Sequence, residues 1–305
     1  MAPTYSTIVV GFDGMSQGVD AVQLARALAD ETTRLVVCCV YPPEVGDHGT
    51  AKRDDAERRV RVARERLADR PHTRVAVRAA FSAGAGLHEE AEESGADLLV
   101  VGSSHRGPIG RVVPGSVTRQ ALRAAPCDVA VAPLWLQSGG DISFGAIGVA
   151  FDGGPASEAA LEQAASLARE HAGKLRLIAV IEPPGTKWSS AWAWPPPPTA
   201  GVREAVGQRA GAALTRAGGG VEGVVDVVEG VPAHELLVAS AALDLLVVGS
   251  RGYGPVRRTL LGTVSGQVTE AAACPVIVVA RGVEAEAVSD RIATVVGGAQ
   301  SPDLR

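Results

Sequence analysis

Two glycine-rich stretches carry residue types that could hold an anion. Residues 249–263 read GSRGYGPVRRTLLGT and follow the apolar run DLLVVG at 244–249; residues 102–116 read GSSHRGPIGRVVPGS and follow the same run at 97–102. The offset of 147 positions, from 102 to 249, holds without a gap from Asp97 and Asp244 through Cys127 and Cys274. In each copy an apolar run ends at a glycine, and a helix-compatible segment opens at Gly115-Ser116 or Gly262-Thr263. Glycines let backbone N–H groups converge on an anion, and a helix start offers unpaired N–H groups with partial positive charge. Phosphate can be held in this way without a basic patch. A single loop of this kind reads equally well as a strand-to-helix turn, and duplication repeats structural loops as readily as functional ones.

No catalytic set accompanies these loops. The chain has no GxSxG elbow, no GxxxxGK phosphate loop and no aspartate-rich metal cluster. Its six histidines are scattered, without HExxH or any i, i+4 pair. Cys38, Cys39, Cys127 and Cys274 lie in or beside apolar, strand-like runs at spacings that match no zinc pattern, so reduced, buried thiols are expected. Cys38 and Cys39, as neighbours in a strand, point to opposite faces and cannot share a metal.

The elements that must position the loops alternate along the chain. Residues 7–12 (TIVVGF) read as a buried strand closed by Asp13-Gly14, and 15–29 as a helix capped by Ser16. A strand at 34–40 ends at Pro42-Pro43, a charged amphipathic helix spans 50–69, and strand 74–80 leads to helix 87–94. Strand 98–101, helix 116–124 and strand 128–132 complete the half. The second half repeats the order: strand 146–151, turn Asp152-Gly153, helix 156–171, strand 175–181, helix 202–216, strand 223–228, helix 233–241, strand 245–248, helix 264–272 and strand 276–280. Alternating strands and helices, with strands reading as continuous apolar runs, give an α/β fold with a parallel sheet covered on both faces.

Length and composition agree. The 305 residues make room for two domains, 1–137 and 142–283, with a flexible tail at 284–305. Aromatics are only 4%, so the cores must be built from Ala, Val and Leu. A net charge of −5 argues against general binding to nucleic acid or anionic membrane. The opening MAPTYSTIVVGFDG lacks the features of a signal peptide, and no apolar run is long enough to span a bilayer, so a soluble, cytoplasmic protein is expected. The first turns are offset by 139 positions, from 13 to 152, which leaves about eight extra residues in the second half. They fall in 185–201, GTKWSSAWAWPPPPTAG, a loop that reads either as a lid or docking segment or as a polyproline linker.

On these residues the chain resembles a tandem universal stress protein over about residues 5–281. The family's nucleotide-binding pattern, G-x2-G-x9-G-(S/T), is met by Gly249, Gly252, Gly262 and Thr263. An aspartate after strand one, VIEPP after strand two and Cys274-Pro275 before strand five also fit. The resemblance implies two doubly wound, Rossmann-like, five-stranded parallel sheets of order 3-2-1-4-5, each with a crevice where strands one and four diverge. It further implies adenine and ribose near Asp152 and Val180. Phosphates would lie on the backbone of 249–252 and on the helix start at Gly262, Thr263 and Val264, with Ser265 assisting. ATP is the implied ligand, any Mg ion being held by the phosphates and not by a protein cage. The matching residues of the first half are Asp13, Val40, Gly102, Gly115, Ser116 and Val117.

His105 stands where the first half should have its second glycine. It could block the approach of phosphate to the backbone or donate to it. Asp13 and Asp152 also read as turn-forming residues that follow a strand. Strand five of each half, DVAVA and PVIVV, is apolar on both sides, so the halves are expected to pack through these strands as a pseudo-dimer, with a homodimer in addition. The resemblance implies nucleotide-dependent regulation in stress response or growth arrest rather than an enzyme. A slow nucleotide hydrolase or transferase, or a nucleotide-free scaffold docking partners through the Trp/Pro loop, are the alternatives.

Overall fold

The computed structural model describes residues 4–44, 47–103, 112, 115–134, 136, 142–182, 200–250 and 262–280. The first half runs β1 (Thr7–Gly11), α1 (Ser16–Leu28), β2 (Arg34–Tyr41), α2 (Asp47–Arg66), β3 (Thr73–Ala79), α3 (Ala83–Ser94), β4 (Leu98–Gly102), α4 (Ser116–Leu122) and β5 (Asp128–Ala132). The second runs β6 (Ala146–Ala150), α5 (Pro155–Glu170), β7 (Lys174–Ile181), α6 (Ala200–Gly218), β8 (Gly223–Glu229), α7 (Pro232–Ser240), β9 (Leu245–Gly249), α8 (Thr263–Ala271) and β10 (Val276–Val279). The alternation expected from the apolar runs is present throughout.

The strands form one sheet of ten, in the order β3-β2-β1-β4-β5-β10-β9-β6-β7-β8. Within each half the order is 3-2-1-4-5 and every pairing is parallel. The halves meet through β5 and β10, which pair antiparallel with Val276 opposite Val131 and Ile277 opposite Ala130. Strand five of each half is thus a central strand, and its apolar edge is hidden by its counterpart. The two expected sheets are one continuous sheet.

Period-two alternation divides the core between the faces. Ile8, Val10, Leu35, Val37 and Leu98, with Ile147, Leu175, Leu245 and Ile277, pack on one face beneath α1, α2, α5 and α6. Val9, Val36, Leu99, Val129, Leu246, Val276 and Val278 pack on the other beneath α3, α4, α7 and α8. Cys38 belongs to the second face and Cys39 to the first, as neighbours in a strand must. All four cysteines are buried and free. Burial pushes the thiols up, to about 11 for Cys39 and about 12 for Cys38, Cys127 and Cys274, so none is a thiolate at neutral pH.

The aspartates of the two DLLVVG runs act at the opposite end of the sheet from the glycine loops. Asp97 accepts from the backbone N–H of Ser6 at 2.8 Å and of Thr7 at 3.0 Å, and from the Ser6 hydroxyl at 2.6 Å. Asp244 accepts from the N–H of Ala146 at 2.8 Å. Each ties the start of a half's first strand to its fourth. No helix among the described residues is long and apolar enough to cross a membrane.

Candidate functional site

In each half the chain leaves the first strand toward one face and the fourth toward the other, which opens a crevice at the carboxyl ends of the two strands. The crevice of the first half is a cavity of about 590 Å³, lined by Asp13, Val40, Gly102, Gly115, Ser116 and Val117 among others. That of the second is a cavity of about 470 Å³, lined by Asp152, Val180, Gly249, Gly262, Thr263, Val264 and Ser265 among others. Every candidate residue that the structure describes therefore falls on the wall of its own half's cavity. His105 and Gly252, on which the second position of the glycine pattern turns, lie outside the described residues, as do most of the 185–201 loop and the 284–305 tail.

Asp13 and Asp152 are bonded within their own turns. Asp13 Oδ1 accepts from the N–H of Met15 at 2.9 Å, and Oδ2 accepts from Nε2 of Gln17 at 2.7 Å. Asp152 Oδ1 accepts from the N–H of Gly154 at 2.8 Å and from the Ser157 hydroxyl at 2.9 Å. Both are aspartate turns of the kind in which a carboxylate takes the N–H two residues on. Ser16 does not cap α1: Met15 is the N-cap residue and makes no side-chain cap bond. Ser16 is already the first helical residue, one position past the N-cap, and the first turn is tied instead through Gln17 to Asp13.

Gln17 and Ser157 are not equivalent positions. A Cβ on Gly18, the counterpart of Ser157, would stand 2.8 Å from Asp13 Oδ1, so glycine there leaves the carboxylate to Gln17. In the second half Ala156 replaces Gln17, and the Ser157 hydroxyl takes over. The two halves hold the same carboxylate in place with different side chains.

An arginine from the second helix of each half clamps the turn. Arg59 Nη1 on α2 donates to the carbonyl of Asp13 at 2.9 Å, and Arg209 Nη2 on α6 donates to that of Gly153. Gly14 (φ +81°) and Gly153 (φ +74°) sit beneath these side chains in the left-handed region that favours glycine. Sequence inspection did not single out either arginine. They are 150 positions apart while the turns they hold are 139 apart, so the inserted loop hides the repeat.

The first glycine of each phosphate pattern is explained by packing. A Cβ on Gly102 would fall 2.6 Å from the carbonyl carbon of Gln17, and one on Gly249 would fall 2.5 Å from that of Ala156, nearer still to the oxygen in both. Glycine is required because the first turn of α1 or α5 lies against the end of the fourth strand. Other hydroxyls at the site are engaged locally: Thr118 Oγ1 donates to Gly102 O at 2.8 Å, its counterpart Ser265 donates to Gly262 O at 3.3 Å, and buried Ser103 donates to Ala132 O at 2.6 Å. Gly115 and Gly262 are the N-cap residues of α4 and α8 and line the two cavities, and they provide no side-chain cap to the first N–H groups of each helix.

Among the described residues no group of three His, Cys, Asp or Glu side chains could hold a metal ion. The walls offer hydroxyls, backbone groups, a carboxylate on each side and apolar surface from Val40 or Val180. That combination suits a ligand with a flat apolar part and polar or anionic substituents.

The profile of the Universal stress protein family matches residues 4–133 and again 143–280. The universal stress protein Rv2005c of Mycobacterium tuberculosis is 35% identical over 196 residues, covering 60% of this chain and 61% of that protein. A universal stress protein of Mycolicibacterium smegmatis is 34% identical over 198 residues, covering 60% and 62%. The chain thus spans about three fifths of the length of these relatives. In fold it is similar to a universal stress protein of Archaeoglobus fulgidus, with a TM-score of 0.63 at 19% identity over 92% of this chain and 100% of that one. The chain belongs to the universal stress protein family and carries its domain twice.

Proposed function

We propose that this protein binds an adenine nucleotide, ATP in the first instance, in the crevices of its two halves and acts as a nucleotide-dependent regulatory module in stress response or growth arrest. The observation that carries the reading is the convergence of Asp152, Val180, Gly249, Gly262, Thr263, Val264 and Ser265 on one cavity of about 470 Å³. Residues spread over more than a hundred positions line that one cavity. Val180 and the apolar wall would take the base, Asp152 the ribose hydroxyls, and the start of α8 the phosphates. Both cavities fall in the roughly 300–1,000 Å³ range of small-molecule sites.

ATP is supported by the groups that line the cavity: the helix start at Gly262 and Thr263, the Thr263 hydroxyl and the Asp152 carboxylate. Any Mg ion would be held chiefly by the phosphates. The role is read as binding rather than turnover, because the sequence carries no GxxxxGK phosphate loop, GxSxG elbow or aspartate-rich metal cluster.

Calorimetry with ATP and AMP on the full chain and on a Gly252→Val variant tests the reading. Binding to the wild type that the variant weakens supports it, and no binding of either nucleotide at millimolar concentration rejects it. Sustained release of phosphate over many turnovers, abolished by Asp152→Ala, would place the protein among nucleotide hydrolases instead.

A further inference from the structure

Among the described residues, the two cavities differ in charge. Besides its carboxylate at Asp13, the first is lined by Arg119 on α4; the second is lined by Asp152 and Glu182 and by no Lys or Arg among the described residues. Both differences are substitutions at matching positions. Gly266 stands 147 positions after Arg119, the offset that relates Ser116 to Thr263, and Glu182 follows β7 where Pro42 follows β2. Arg119 is exposed and forms no ion pair with any described residue. It lies three residues after Ser116 on the same helix, a spacing that puts both side chains on one face, and both residues line the cavity.

A guanidinium offers paired N–H donors in a plane that matches two phosphate oxygens, and such charge-assisted bonds are stronger than those from neutral donors. Between partly desolvated walls a single cation against two carboxylates changes the potential felt by a phosphate. We propose that the cavities are two different sites: Arg119 gives the first a side-chain contact to the phosphate of its ligand that no described residue gives the second, so the first holds ligands more tightly as their phosphate charge increases. This rests on the reading of both crevices as nucleotide sites, and it assigns the higher affinity for ATP to the half whose glycine pattern is interrupted.

The test is calorimetry of the full chain with adenosine, AMP and ATP, on the wild type, R119Q and R119K. The wild type should show two classes of ATP site. R119Q should weaken the tighter class about tenfold, leaving adenosine binding unchanged, and R119K should recover part of the loss. A thermal midpoint like that of the wild type checks that each variant is folded. A single class of ATP site in the wild type, unchanged ATP binding in R119Q, or an equal loss for adenosine and ATP overturns the inference while leaving the nucleotide reading intact. Failure of the wild type to bind any of the three ligands overturns both.

Discussion

Gly249, at the end of β9, lies directly against the carbonyl group of Ala156 in the first turn of α5, so close that a Cβ would stand 2.5 Å from the carbonyl carbon. The first half repeats the contact between Gly102 and Gln17. The residue that most suggests a phosphate loop is thus demanded by two backbones in contact, whether or not a ligand is bound. Function has to be argued from the cavity that this close approach shapes.

Gly249→Ala should therefore destabilise the protein by about 1–3 kcal/mol, the usual cost of forcing atoms into a packed site. The measurement is the midpoint of urea unfolding without nucleotide. A midpoint equal to that of the wild type would mean that the glycine serves the ligand and not the packing.

Much of the architecture was legible because each strand is a continuous apolar run bounded by turn residues, and because Asp97 and Asp244 open identical runs. The joining of β5 and β10 was legible too, since DVAVA and PVIVV leave no polar face for solvent. A serine at a helix start is usually its cap, whereas here the helix begins at Ser16 itself and Met15 occupies the N-cap position. The clamps from Arg59 and Arg209 were hidden, since nothing local marks an arginine in a charged helix as the partner of a distant turn. Candidate site residues were found through motifs that the two copies share, so Arg119 was passed over and Glu182 was read only as part of VIEPP, at positions where the copies diverge.

Removing a clamp tests how much the turn depends on it. Arg209→Ala takes away the bond to the Gly153 carbonyl and the side chain that covers this glycine. A loss of about 0.5–1.5 kcal/mol is expected, the net worth of one hydrogen bond. Arg59→Ala should cost a similar amount, and the double variant should show the two losses adding, because the clamps lie in separate halves and share no partner. Weaker ATP binding at the affected cavity should accompany each loss, read by calorimetry. Normal stability in Arg209→Ala would show that the turn holds its shape without the arginine.

One face of the core runs without interruption from Tyr5 and Ile8 in the first half to Ile147 and Ile277 in the second. The halves should accordingly unfold together. Hydrogen exchange followed by mass spectrometry across a urea series would show β1 and β6 losing protection at one midpoint. Separate midpoints would mean that the β5–β10 pairing joins two independent units.

The seam also carries a group that titrates near neutrality. Asp128, at the start of β5, accepts from the Tyr5 hydroxyl at 3.1 Å through Oδ2 and from the N–H of Ala280, in the other half, at 2.8 Å through Oδ1. Desolvation pushes its carboxyl up to about 7; the bonds from Ala280 and Tyr5 oppose the rise, and the nearby charge of Asp97 adds to it. The unfolded chain ionises this group near 3.9, so below about pH 4 both states carry the proton and the contribution of Asp128 is fully present. Between about pH 4 and about pH 7 the unfolded chain releases a proton that the folded chain keeps, so this contribution falls by up to about 1.4 kcal/mol for each pH unit and stays low above that window. Glu90 moves the other way: although its burial opposes ionisation, bonds from Arg78 and Ser94 and the charges of Arg74 and Arg78 hold its carboxyl below the usual range. The total pH profile therefore mixes opposing slopes, and the informative quantity is the difference between the wild type and Asp128→Asn. An amide there can still accept from Ala280 and bond Tyr5 but cannot ionise, so the variant should gain stability over the wild type as pH rises from 4.5 to 7.5. Tyr5→Phe, which removes a bond that favours the ionised form, should move the upper end of the window to higher pH. Urea midpoints for the three proteins at a series of pH values measure both effects, and a difference that did not change with pH would show that Asp128 keeps an ordinary carboxylate's affinity for its proton at the seam.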